Sequence, residues 1–251
     1  SLGGRTAAML EPFADDPNET GEMFYTLDET VALFREAYDN GFEASIHAIG
    51  DAAMERVISA AERVYPRTDE PDPVKRLRAA GLRRLRIIHA SVIRPDHLER
   101  MRRLPVILDV QPNFLNSTGR CVPDRIGPDR MKYYTPIKSF MDAGILVTGG
   151  SDAPVDPALP FEGMECAVTR RGIDGYPAEG LAPQEAISAY DAVSMYTRNA
   201  AYCSSEEDVK GTISVGKYAD FILIDRDIFA IEAETIHEIQ VLKTVVGGKT
   251  V

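Results

Sequence analysis

The sequence predicts an α/β fold in which helices cover a parallel β-sheet. Four short apolar segments have the composition of strands, and each has an amphipathic segment of helical period before or after it. After about residue 210 the helical period stops, and segments rich in Val, Ile and Thr with Gly-Lys turn signals follow. We therefore expect a helix-covered sheet over residues 1–209 and an antiparallel β segment over residues 210–251.

The first elements form a helix–strand–helix alternation. Residues 26–41 carry apolar side chains at helical spacing between a Thr or Asp cap and a final Asn-Gly pair. Residues 42–49 are short and apolar, which predicts a strand, and residues 50–65 return to the helical period. We expect Gly50 to allow the intervening turn and Asp51 to cap the second helix.

The alternation continues through three further strands. The predicted strands cover residues 85–90, 105–112 and 145–152, and the predicted helices cover residues 94–104, 136–144 and 182–203. Residues 113–135 show no clear period, which predicts an irregular segment. The Arg-rich stretch at residues 75–86 is predicted to be a solvated helix face.

Composition excludes several classes of partner. The chain has 251 residues and a formal net charge of -11, which would repel nucleic acid and anionic lipid surfaces. No apolar run approaches the roughly 20 residues needed to span a bilayer.

The three cysteines are widely spaced and form no Cys-x-x-Cys pair, which predicts neither a disulfide framework nor a zinc ribbon. A reducing cytoplasmic location fits this pattern best.

Three polar residues stand where strands of the predicted sheet end. His47 ends the first strand, His89 ends the second and Asp152 follows the fourth. Since active sites of parallel α/β proteins lie at the carboxyl ends of the strands, these residues have a functional interpretation. Two imidazoles and a carboxylate are a typical ligand set for zinc or a similar divalent ion.

Each of the three also has a simpler interpretation. A single His near a strand end is more often a hydrogen-bonded structural residue than a ligand, and an Asp after Gly-Gly-Ser is usually a turn former. The remaining histidines, His97 and His237, stand in helical or polar surroundings where solvated roles suffice. The equivalent positions of His47 and His89 make the metal hypothesis about as strong as the separate explanations, so both stay open at this point.

The chain contains, in this order, the strings "HAIGDAA", "RIIHAS", "VQPNF", "DAGILVTGGSDAPV", "YTRNAA", "KGTISVGKYADFILID" and "VVGGKTV". Together they resemble strings of the amidohydrolase superfamily, in particular the branch that includes N-substituted formamide deformylases. The resemblance implies a metal-binding (β/α)8 barrel of the TIM type, of which this chain holds strands five to eight, and the C-terminal share of a small β-sandwich.

The resemblance also implies roles for individual residues. It makes His47 and His89 the metal ligands of strands five and six, and Asp152 the strand-eight aspartate that contacts metal and shuttles a proton. The implied reaction is hydrolysis of an amide or formamide-like carbon–nitrogen bond by metal-activated water, with one or two ions, most commonly zinc. Arg5, Gln111 and Arg170 are weaker candidates for contact with a small-molecule substrate.

Two features of the family pattern are missing from the chain. It contains no His-x-His pair and no strand that could supply the family's bridging lysine. We therefore expect the chain to represent the C-terminal half of a longer enzyme, which would associate with the missing half or form a homo-oligomer. Two alternatives stay open: an enzyme of the same fold with another reaction, and a non-catalytic module for binding or assembly.

Overall fold

The computed structural model describes every residue, Ser1–Val251, and the chain forms two compact units. The first contains Ser1–Val110 and Thr118–Val147, and the second contains Gln111–Ser117 and Thr148–Val251. None of the three points where the chain passes between the units is at residue 210. The division into residues 1–209 and 210–251 stays a prediction. No helix has the length and apolar character needed to cross a bilayer.

The strands form two sheets. In chain order they are β1 (Ala44–Ala48), β2 (Leu85–His89), β3 (Val106–Val110), β4 (Leu146–Gly149), β5 (Phe221–Ile224), β6 (Val241–Val246) and β7 (Lys249–Thr250). β1 to β4 are neighbours in sequence order, and β2 pairs in parallel with both β1 and β3. β5, β6 and β7 pair antiparallel. The predicted α/β fold with a parallel sheet is confirmed.

Helices occupy each connection between the strands of the first sheet, and others precede and follow that sheet. They are α1 (Leu27–Asp39), α2 (Asp51–Val64), α3 (Pro73–Ala80), α4 (Pro95–Met101), α5 (Phe114–Ser117), α6 (Val122–Met131), α7 (Ile137–Asp142), α8 (Pro160–Thr169), α9 (Ala189–Tyr196) and α10 (Arg198–Cys203). Short 3-10 helices lie at Pro183–Glu185 and Ala233–Glu238.

The first two helices begin by different means. Thr26 caps α1 with its side chain, which accepts from the Glu29 amide, while the Glu29 carboxylate accepts from the Thr26 amide at 2.7 Å. The N-cap residue of α2 is Gly50, which has no side chain to offer, and the expected cap by Asp51 is wrong. The Asp51 carboxylate instead accepts from the Leu10 amide at 2.9 Å, because the N-terminal segment passes over the start of this helix.

The core of the first unit lies on the central strands. Leu85 and Ile87 of β2 and Leu108 of β3 have no exposed surface. Burial on both faces is typical of a strand inside a helix-covered parallel sheet. β1 is at one end of the strand order, and its residues alternate between half-buried and exposed before Ala48.

Three sequence-based predictions of local structure are wrong. The segment at residues 113–135 contains α5 and α6, and the period of α6 is hidden because Gly127, at φ 72°, interrupts it with a kink. The single helix predicted at residues 182–203 is broken at Thr197, whose φ and ψ of -128° and -91° separate α9 from α10. α8 lies between the strand predicted at residues 145–152 and the helix predicted at residues 182–203, where no element was expected.

The Arg-rich stretch is only partly a helix. α3 ends at Gly81, whose φ of 59° is readily adopted by glycine, and β2 begins at Leu85 within the same stretch. Arg76 is buried rather than solvated, because its guanidinium donates to the carbonyl oxygens of Glu70 and Gly144 at 2.6 and 2.5 Å. An arginine can be buried when backbone carbonyls accept its protons.

Candidate metal centre

The two strand-end histidines lie side by side in the first unit. β1 and β2 run parallel with His47 opposite Ile88 and Ala48 opposite His89. The centroids of the two imidazole rings are 4.6 Å apart, and the ring planes meet at 73°. The sheet register thus brings together two nitrogen-bearing rings from positions 42 residues apart in the sequence.

The backbone at both strand ends is unusual. His89 and the following Ala90 have φ values of 76° and 48°, in the left-handed region that costs a non-glycine residue about 1–3 kcal/mol. After β1, a Cβ atom at Gly50 would lie 2.1 Å from the carbonyl oxygen of Ala8, so glycine is required at this turn. Conformations of this cost persist where the surrounding structure fixes them, and they are frequent at functional sites.

The two rings differ in exposure, and together they fit a divalent metal. His89 is buried, with 3% of its surface exposed, whereas His47 is exposed and borders a groove of about 670 Å³. Neutral imidazoles are the nitrogen ligands that zinc, copper, iron and nickel prefer in proteins. A buried ring fixed by the backbone next to an accessible ring can bind an ion while leaving a position open.

Asp152 lies in the second unit, in the loop that follows β4. It is exposed, its φ is 57°, and its carbonyl oxygen accepts from the Val155 amide at 2.8 Å. The neighbouring carboxylate of Asp156 is buried and accepts from Asn113 Nδ2 and Ser117 Oγ, both at 3.0 Å. Burial raises the pKa of Asp156, the Ser117 hydrogen bond lowers it, and the charge of Asp152 raises it further.

A comparison with known protein families identifies the family of the chain. The sequence model of the amidohydrolase family matches residues 1–251. The chain belongs to the amidohydrolase family. This confirms the resemblance found in the sequence motifs.

Two sequence relatives and one solved structure show how far the similarity of this amidohydrolase chain extends. It is 37% identical over 252 residues to YtcJ of Bacillus subtilis (strain 168), a protein whose name places it among the amidohydrolases, with 100% of this chain and 45% of that protein covered. It is 32% identical to the N-substituted formamide deformylase of Arthrobacter pascens, with 91% and 40% covered. An uncharacterized metal-dependent hydrolase from Pyrococcus horikoshii OT3 superposes with a TM-score of 0.78 at 31% identity, with 93% and 44% covered. The chain thus spans less than half the length of each.

The three weaker candidates for substrate contact have partners within the amidohydrolase chain itself. Arg5 donates from Nε and NH2 to the Asp15 carboxylate at 3.1 and 2.8 Å. Gln111 is buried directly after β3. Arg170 has no exposed surface, and its Nε donates to the Leu181 carbonyl at 3.0 Å, so a substrate would reach it only after a rearrangement. Their roles in substrate binding stay predictions.

The amidohydrolase chain contains a second group of possible metal ligands, which was not predicted from the sequence. One ligand atom from each of Glu55, Asp96 and His97 lies within 4.8 Å of the other two. Contrary to the solvated role expected for His97, its ring is completely buried, and Nδ1 accepts from the Arg94 amide at 3.3 Å. The signal available in the sequence was the position of His97 three residues after Arg94, at the start of a helix that begins with Pro95.

Arginines already balance the charge of this second group. Arg94 and Arg100 donate to the Glu55 carboxylate at 2.6 and 2.9 Å, and Arg94 also donates to Asp96 at 2.8 Å. Burial alone would raise the pKa of Glu55, but hydrogen bonds from Ser59, Arg100 and Arg94 lower it to about 2. The group is therefore an ion-pair network that joins α2 to α4.

Proposed function

We propose that the chain serves in metal-dependent hydrolysis of a carbon–nitrogen bond other than a peptide bond, in a small amide or formamide-like substrate. The observation that carries the proposal is the imidazole pair of His47 and His89 at the carboxyl ends of adjacent parallel strands. The relative named as an N-substituted formamide deformylase supports the bond type. The solved structure described as a metal-dependent hydrolase supports a divalent cofactor.

The proposed ligands are His47, His89 and Asp152, and the proposed ion is zinc, one or two in the whole enzyme. A bound divalent ion supplies a Lewis acid that polarises the scissile carbonyl and lowers the pKa of water. His47 and His89 would each hold the ion through a ring nitrogen. Asp152 accepts a proton from the attacking water and passes it to the leaving nitrogen, as a positioned carboxylate does in general acid–base catalysis.

The fold proposal is more specific than an α/β sheet. We assign β1 to β4 to strands five to eight of a (β/α)8 barrel, and β5 to β7 to the C-terminal share of a β-sandwich. The order β1-β2-β3-β4, with helices in the connections, supports the first assignment. The antiparallel pairing of β5 with β6 and of β6 with β7 supports the second.

The activity is tested with the purified chain, first stripped of metal and then titrated with zinc. We expect stoichiometric zinc uptake and zinc-dependent turnover within a panel of N-formyl and N-acyl amines. His47→Ala should abolish uptake, and Asp152→Asn should lower kcat by about 10²–10⁴-fold. His237→Gln is the matched control, since His237 contacts Glu165 in the second unit and should leave zinc uptake unchanged. A folded chain that takes up no zinc would rule the proposal out.

The proposed partner covers the open side of β1. The groove beside this strand is lined by apolar side chains that include Phe24, Tyr25 and Leu33, which are 80%, 53% and 47% exposed. Exposed apolar surface next to an unpaired strand edge favours association. We propose that a second copy, or a polypeptide with the N-terminal share of the barrel, binds here.

Sedimentation of the purified chain over a range of concentrations tests this association. We expect a dimer or larger species that Leu33→Glu shifts to the monomer, because the new carboxylate would have to be buried without a partner. Leu82 is 53% exposed and lies outside this groove, so Leu82→Glu is the control and should leave the association unchanged. A wild-type chain that stays monomeric and folded at every concentration would contradict self-association.

A further inference from the structure

We infer that Tyr196 is a positioning residue for Asp152, because its phenol contacts both ends of the loop that carries this aspartate. The loop covers residues 150–159, between β4 and α8, and Tyr196 is the last residue of α9. All these residues belong to the second unit. The inference rests on the proposed role of Asp152 and adds a residue that supports it from outside the loop.

At the first end of the loop, the ring of Tyr196 fills the place of a side chain. A Cβ atom at Gly149, the last residue of β4, would lie 2.5 Å from Tyr196 Cε2 and 2.6 Å from Cζ. Next to it, Thr148 Oγ1 donates to the Met195 carbonyl at 3.0 Å in a buried hydrogen bond. The end of α9 is therefore fixed against the end of β4, and no residue larger than glycine fits at position 149.

At the second end, the hydroxyl of the same side chain makes the contact. A Cβ atom at Gly163, within the first turns of α8, would lie 2.0 Å from Tyr196 Oη and 3.0 Å from Cζ. The ring carbons thus exclude a side chain at Gly149, whereas the hydroxyl excludes one at Gly163. One phenol consequently sets the separation between the strand before the loop and the helix after it.

The middle of the loop is held independently. The Asp156 carboxylate accepts from Asn113 and Ser117, which fixes the loop four residues beyond Asp152. Asp152 itself has a φ of 57°, and such a conformation persists only where the surrounding structure enforces it. The Tyr196 contact at Gly149 and the hydrogen bonds of Asp156 together supply that restraint, before and after Asp152 along the chain.

The experiment uses the different contacts of the ring and the hydroxyl. Gly149→Ala and Gly163→Ala each place a methyl group against Tyr196, and Tyr196→Phe removes only the hydroxyl. We expect Gly149→Ala to lower kcat by about 100-fold with little change in KM, since small misplacements of a catalytic group cost this much. Tyr196→Phe should restore activity to Gly163→Ala but not to Gly149→Ala.

A second measurement does not depend on activity. Amide hydrogen exchange of residues 150–159 should accelerate in Gly149→Ala and in Gly163→Ala, and Tyr196→Phe should reverse only the second effect. Gly3→Ala is the matched control, because the nearest atom to its new methyl group, Cys121 Sγ, lies at 4.0 Å. Equal rescue of both variants, rescue of neither, or unchanged exchange of the loop would overturn the inference.

The two proposals fail in different ways. If the wild-type chain takes up no zinc and hydrolyses no amide, the proposed function fails, while loop exchange and its rescue still report on Tyr196. If the wild-type chain is active and the Gly149→Ala variant retains its kcat, the positioning role fails and the proposed function stands.

Discussion

Two groups of side chains in the first unit bring possible metal ligands together, and they differ in charge balance. His47 and His89 stand at the ends of two parallel strands with ring centroids 4.6 Å apart. Glu55, Asp96 and His97 stand on α2 and α4 with ligand atoms within 4.8 Å. By distance alone, both groups could hold an ion.

The arginines of the second group account for the difference. The Glu55 carboxylate accepts from Arg94 and Arg100, and the hydrogen bonds that Arg100 donates to Glu62 and Glu55 raise the pKa of Arg100 although burial opposes the rise. A divalent ion would have to displace these permanent cations, which already neutralise the half-buried Glu55 carboxylate through charge-assisted hydrogen bonds. Proximity of ligand atoms is therefore insufficient evidence for a metal site without an account of the charges that already neutralise them.

The largest expected effect is the loss of zinc affinity when an imidazole is removed from the pair His47 and His89. His89→Asn keeps a residue type that tolerates the positive φ at this position and removes the imidazole. We expect it to weaken zinc binding by more than the roughly 10–100-fold that loss of an outer hydrogen-bond partner costs at metal sites. Competition with a chromogenic chelator measures this change.

Glu55→Gln is the matched variant in the ion-pair network. It should leave zinc affinity unchanged and lower the free energy of unfolding by about 1–2 kcal/mol, since Glu55 is partly exposed and its ion pairs are screened. Denaturant unfolding gives the second quantity. The reverse pattern, with zinc binding lost in Glu55→Gln and kept in His89→Asn, would move the metal site to α2 and α4.

The same two groups show what a sequence can and cannot predict. His47 and His89 were found because strands leave a local signal, and a parallel sheet places the ends of neighbouring strands at one edge. The first turn of α1 was found for a similar reason, since Thr26 and Glu29 form a capping box within four residues. Signals of this kind are complete within a short stretch of chain.

Burial that depends on distant segments left no such signal. His97 was expected in solvent, yet it is buried because Glu55 of α2, 42 residues earlier, lies against its ring. Tyr196 ends a helix that was predicted to continue, and its contacts with Gly149 and Gly163 exist only after β4 and α8 have met α9. Contacts between segments that are distant in the sequence are thus harder to predict than the ends of strands.

The smaller expected effect is a dependence of stability on pH that belongs to the second group alone. Burial lowers the pKa of His97 from its usual 6.5, and the positive charge of Arg94 lowers it further, against the opposing effects of Asp96 and Glu55. The unfolded chain then binds this proton more readily than the folded chain. Stability should therefore fall as the pH drops below about 6.5.

Glu55 adds a second loss of stability at lower pH. Its pKa is lowered from 4.5 to about 2, so its contribution is complete above pH 4.5 and disappears as the pH falls toward 2. After allowance for its exposure, this contribution is roughly 1–2 kcal/mol. Urea unfolding of the zinc-free chain between pH 8 and pH 3 should show both losses.

Variants separate the two steps and test their coupling. His97→Gln should remove the loss near pH 6.5 and leave the lower one. Glu55→Gln should remove the lower loss and steepen the upper one, because the carboxylate that opposes the lowering of the His97 pKa is gone. If His97→Gln left the upper loss intact while His47→Ala removed it, the titrating group would be the strand-end pair, and the contrast in charge balance between the two groups would not hold.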